Sequence, residues 1–143
     1  MWTFFRNDRG IGAIEFALVA PMVILVLAGI FSGSSYIQQV SSMRDSVEAA
    51  AKYYIQGGTT DSKALAIADA AWSDKPSDGT VSVTRTCICA GAAAGCSGLC
   101  SSGSVPEIHL TIVATSTWSS PLLTDPILPN GLNLSESEVI RVR

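Results

Sequence analysis

Histidine occurs once in this chain, as His109, and no charged side chain falls between Phe16 and Met43. A single imidazole leaves little from which to build general acid–base or zinc chemistry. No phosphate-cradling loop, dinucleotide fingerprint or nucleophile motif is present, and the acids are scattered, so catalysis is not expected and no cofactor is implied. Lysine and arginine total nine against twelve acids, for a net charge of −3. The basic residues Arg44, Lys52, Lys63, Lys75, Arg85, Arg141 and Arg143 are few and scattered, and the only early pair is Arg6 with Arg9. Displacing counterions from a phosphate backbone needs a cationic cluster, so nucleic acid is excluded as a partner.

What the chain does have is one long apolar run. Apart from Glu15 and Pro21, Ile11 to Phe31 is built of Ile, Val, Leu, Ala, Phe, Met and Gly, and as a helix it spans about 31 Å at about 1.5 Å per residue, enough to cross a bilayer. Arg6 and Arg9 precede it and no basic residue follows until Arg44, which directs the N-terminus to the cytoplasm and exports the remainder. A secretory signal is the competing interpretation. It fits poorly, because Glu15 interrupts the run near its start, and the run is about twice a usual signal core with no convincing small-x-small cleavage site followed by a turn.

Glu15 is the exception inside that run. A carboxylate carried toward the hydrocarbon costs about 2.5–3.5 kcal/mol on insertion scales, so it calls for a cationic partner, unless it sits among headgroups where the helix dipole favours an acid. Pro21 removes a helical hydrogen bond and predicts a kink or local melting near Ala17. Gly29 and Gly33 form a small-x-x-x-small pair, which reflects membrane-helix composition more readily than a dimer seam.

Beyond Phe31 the apolar positions Tyr36, Val40, Met43, Val47, Ala50 and Tyr54 follow spacings of 4, 3, 4, 3 and 4. This stripe predicts that the helix continues to Gln56 and stops at Gly57-Gly58, with a sheet as the ordinary partner for its face. A second helix is expected over 62–72, with Leu65, Ala68 and Trp72 on one side and Thr60 or Asp61 as N-cap. Residues 73–79 read as a turn. Alternation from Val81 to Cys89 predicts a strand carrying Val81, Val83, Arg85, Cys87 and Cys89 on one face. Further strands are expected over Glu107 to Thr117 and Ser137 to Arg143. Trp118 to Asn133 reads as an ordered surface loop, and His109 as an ordinary strand residue.

Ala90 to Gly103 is a Gly, Ala and Ser tract too poor in bulk to bury a core. Its organisation falls to Cys87, Cys89, Cys96 and Cys100, spaced C-x-C-x6-C-x3-C. An even number of cysteines in an exported domain points to two disulfides. Of three connectivities the nested one, Cys87 with Cys100 and Cys89 with Cys96, is favoured, since a hairpin-like loop brings those ends together. C-x-C is awkward for a tetrahedral ion, so no metal is expected.

The string Arg9-Gly10-Ile11-Gly12-Ala13-Ile14-Glu15-Phe16, continuing Ala17-Leu18-Val19-Ala20-Pro21, resembles the TadE-like family of minor pilins and pseudopilins of tight-adherence (Flp-type) systems. The cysteine loop and the terminal strand with Arg141 are looser likenesses. The resemblance implies a leader, 1–10, removed by prepilin peptidase after Gly10. Ile11 then becomes the new amino terminus and Glu15 the fifth mature residue, with Gly10, Ile11, Glu15 and Phe16 forming the processing site. It further implies assembly through Glu15 and the Pro21-bearing helix onto other pilin or pseudopilin subunits and an inner-membrane assembly platform, in order to initiate, prime or cap a pilus. A domain beyond the helix favours a minor over a major subunit, and the length is short for the larger TadG type.

The expected architecture is α+β and pilin-like. A transmembrane segment, 11–33, leads into an extracytoplasmic domain, 34–143, made of a helix continuation, 34–56, a short helix, 62–72, and a β region, 81–143. That region is a three-stranded antiparallel sheet with a disulfide-stapled loop. The protein would reside in the bacterial inner membrane with its domain periplasmic or extracellular. The alternative is an uncleaved single-pass protein whose extracytoplasmic domain binds a partner.

Overall fold

The computed structural model describes residues 11–121 and 131–142. Gly10 and the expected leader, most of the loop after Trp118, and Arg143 lie outside the described residues.

Helix α1 runs unbroken from Ile11 to Ile55. Pro21 lies within it, and although its ring nitrogen cannot donate to the Ala17 carbonyl, the helix does not melt there as the sequence led us to expect. The helix ends where the paired glycines require it to. Gly57 takes a left-handed φ of 90°, its N–H donates to the Tyr54 carbonyl at 3.0 Å, and the Gly58 N–H donates to the Tyr53 carbonyl at 2.9 Å. These two bonds form the Schellman motif, for which glycine is suited because it has no Cβ to clash.

Helix α2, Asp61–Ala71, follows. Thr60 is its N-cap but makes no side-chain cap bond; the Asp61 carboxylate, the other expected cap, is engaged elsewhere (below). Ala64 and Ala68 are its buried residues, and these small side chains let α2 lie close on α1. Leu65, expected on that face, is only half-buried.

The sheet has four strands where three were expected: β1 (Thr80–Cys89), β2 (Ala92–Ala94), β3 (Glu107–Trp118) and β4 (Leu132–Val142), in the antiparallel order β2-β1-β3-β4. The added strand is the alanine run of the cysteine tract. Cys89 pairs with Ala92, so Ala90 and Gly91 alone make the turn, with φ of 49° and 84°, as a two-residue hairpin of the primed type requires. β4 starts at Leu132 instead of Ser137. Its early inward positions include Glu136 and Glu138, which meet α1 and not the core, so hydrophobic alternation is lost there. Arg44 Nε lies 3.4 Å from Glu136 Oε2.

One face of the sheet packs on α1. Leu110, Ile112 and Ala114 of β3, with Leu134 and Ile140 of β4, are buried against Met43, Val47, Ala50, Ala51 and Tyr54, joined by Trp72 and Trp118. The helical stripe therefore packs on a sheet, the more ordinary of the two partners its spacing allows, the other being a second helix. Each large side chain so buried contributes about 1.5–3 kcal/mol. The opposite face carries Thr80, Ser82, Thr84, Thr86 and Thr115, all exposed, with Thr80 and Thr115 hydroxyls 2.8 Å apart across the strands. His109 lies on this outer face, 3.8 Å from Glu107 Oε2.

Candidate functional site

From Gly12 to Phe31, no side chain of α1 is buried. Phe16 and Leu18 are each 73% exposed and Met22 is 72% exposed. The helix is long and apolar enough to cross a membrane, with a mean hydropathy of 2.5 over its most apolar window, none of which is buried. A surface this apolar and this bare is stable only in lipid or against other apolar helices. Glu15 stands one turn beyond Ile11, exposed, and no hydrogen bond or ion pair joins it to another described residue. Phe16 and Pro21 share the bare segment, and at Gly29 and Gly33 an added Cβ would meet open space. The structure thus places Ile11, Glu15, Phe16 and Pro21 on one free helix, far along the chain from the cysteines.

At Ser32 the helix acquires partners. Ser32 Oγ and Ser120 Oγ are 2.9 Å apart and buried. Trp118 Nε1 donates to Ser35 Oγ at 3.3 Å, and Gln39 Nε2 donates to Ser116 Oγ at 2.9 Å. Ser116 Oγ in turn donates to Met43 Sδ at 3.2 Å, while Tyr36 and Trp118 meet edge to face with centroids 5.5 Å apart. Strand β3 thus runs down α1 residue by residue toward the bare segment. Sequence reasoning passed over this polar ladder. Its signal was there, since 32, 35 and 39 fall on one helical face and 116, 118 and 120 on one strand face.

At the far end, Tyr54 Oη donates to Asp61 Oδ1 at 2.6 Å, and Arg85 Nη2 donates to the same oxygen at 3.0 Å. These bonds tie α1, α2 and β1 together. Burial, reinforced by the Asp61 hydrogen bond, pushes the Tyr54 phenol up to about 12. At the near end, Asp78 Oδ2 accepts the Thr117 N–H at 2.7 Å, and hydrogen bonding from Thr117 holds the Asp78 carboxyl below its usual value.

The four cysteines form two disulfides, and the pairing corrects the nested expectation. Cys87 bonds Cys96 and Cys89 bonds Cys100, with Cα separations of 5.2 and 5.6 Å. The hairpin register explains the crossing. Ala92 lies opposite Cys89 and Ala94 opposite Cys87, so the chain leaving β2 carries Cys96 past Cys87. Beyond Cys96 the chain bends at Ser97 and Gly98, where Gly98 takes a φ of 116°, and this returning segment brings Cys100 to Cys89.

A free apolar helix continuous with a disulfide-stapled antiparallel sheet defines a helix-anchored α+β protein with one candidate membrane span among its described residues. Residues 10–52 match the family model of TadE-like proteins. The match takes in both Glu15 and the first part of the polar ladder. Comparison with curated proteins and with solved structures gave no match.

Proposed function

We propose that the protein is a minor pilin or pseudopilin of a tight-adherence pilus and secretion system, released from its leader after Gly10 and assembled through α1 to initiate, prime or cap the fibre. The observation that supports this reading is Glu15, the one charge on the bare segment of α1, lying without a partner among the described residues and inside the TadE-like match. A poorly solvated carboxylate is relieved by a cation brought to it. Cleavage after Gly10 would create one at Ile11, so the amine of one subunit would meet Glu15 of another and set their axial register. The domain then works as cargo or contact surface, without catalysis. Its partners would be prepilin peptidase, other pilin or pseudopilin subunits and the inner-membrane assembly platform.

Intact-mass and N-terminal analysis of the membrane-fraction protein, from cells with and without prepilin peptidase, tests the pathway. A chain starting at Ile11 only when the peptidase is present is expected. A chain starting at Met1 in peptidase-positive cells overturns the assembly step and leaves a stationary single-pass anchor. Glu15→Gln is expected to abolish recovery of the protein in sheared fibres while leaving its membrane level and domain unfolding temperature unchanged.

A further inference from the structure

We propose that the domain is seated directly on the lipid surface, with Tyr36 and Leu132, exposed on either side of the buried Trp118, as its interfacial contacts, an inference resting on the reading of α1 as membrane-spanning. The bare segment from Gly12 to Phe31 is about 30 Å long at about 1.5 Å per residue, the thickness of the hydrocarbon layer. The domain's first contact with the helix, Ser32 to Ser120, comes on the next residue, and α1 continues through it without a break. No spacer or hinge separates span from domain, so the lower edge of the domain falls at headgroup depth.

The chemistry of that edge fits the position. Tyr36 lies about 8 Å above Phe31 along the axis, and helical side chains lean toward the N-terminus, so its ring descends into the interfacial zone. There it meets Trp118 edge to face. Trp118 pairs in register with Leu132, which is 41% exposed. Aromatic side chains with one apolar and one polar end are enriched at this depth, and they fix the tilt of a span. The same level is free of charge on all three elements: α1 has none from Ser32 to Met43, β3 and its extension none from Ser116 to Pro121, and β4 none from Leu132 to Ser135. Among the described residues, charges at this end lie on the end of α2 and the turn after it, where Lys75 pairs with Asp69 at 2.7 Å, Asp78 accepts from Thr117, and Asp74 is exposed. Such groups suit the wetter headgroup layer, and their mixed signs ask for no anionic lipid.

The test uses the isotope-labelled full chain in lipid nanodiscs, with amide signals recorded before and after chemical reduction of a nitroxide lipid. A headgroup-labelled lipid is expected to weaken Ser116–Ser119 and Leu132–Asn133 several-fold while sparing Gly57–Gly58 and Ala92–Ala94. If a chain-labelled lipid broadens residues 12–31 but the headgroup label treats the two ends of the domain alike, the span stands and the seat is wrong. If residues 12–31 escape the chain label, the span itself fails and takes the seat with it.

Discussion

Tyr54 illustrates how one buried polar group binds three elements. Its hydroxyl shares the Asp61 carboxylate with Arg85, so Tyr54→Phe removes one hydrogen bond while keeping the ring, at an expected cost of about 0.5–1.5 kcal/mol. The phenol's proton affinity is higher in the folded chain than in the unfolded one. Stability from this group is therefore complete below its ordinary value of 10.0 and is lost as pH rises toward about 12. Phenolate absorbance should show one late-titrating tyrosine, missing in Tyr54→Phe. Ala90 is the opposite case, a residue in conflict with its place. A φ of 49° costs a side chain with a Cβ about 1–2 kcal/mol, a penalty that asparagine tolerates better. Ala90→Asn should raise the unfolding midpoint in denaturant, by an amount corresponding to somewhat less than about 1 kcal/mol.

Among elements, those with strong periodicity were legible in the sequence. The helix to Gly57, the strands beginning near Val81 and Glu107, and the sheet-facing stripe from Val40 to Tyr54 all follow from spacing, because each buries a regular row of apolar side chains. β2 and the first half of β4 were not legible, and for physical reasons. Ala92–Ala94 is held by hairpin register and disulfides, with little burial of its own, and an Ala-Gly turn lacks the usual Asn-Gly mark. In β4, Glu136 and Glu138 occupy inward positions, a placement that also discourages edge-to-edge pairing. The disulfide pairing depended on that hidden hairpin, so spacing alone could not find it. Of the candidate site, Glu15 and its surroundings were readable as a charge in an apolar run, whereas the Ser32–Ser120 ladder was hidden among ordinary polar residues. The crossed pairing is checked by counting thiols. The double variant Cys87→Ser with Cys96→Ser should expose none and lose about 2–4 kcal/mol, while Cys87→Ser with Cys100→Ser orphans Cys89 and Cys96 and should expose two native thiols.

At the scale of the whole molecule the chain changes character at Ser32. Below it, the apolar side chains of α1 are exposed; above it, the same helix is a wall of the domain core. One chemical change should therefore have two different consequences. Leu18 is 73% exposed on the bare segment and Leu110 is 1% exposed beneath α1. Leu110→Ala removes buried atoms and leaves a cavity, an expected loss of about 2–5 kcal/mol. Leu18→Ala lies well away from every domain contact, and such distant substitutions change stability by less than about 0.5 kcal/mol. Thermal unfolding of both full-length variants in detergent micelles, followed by tryptophan fluorescence, measures the difference. If Leu18→Ala lowered the transition as Leu110→Ala does, the bare segment would be folding back on the domain. The anchor could then no longer be free to meet lipid and neighbouring helices without unfolding what it carries.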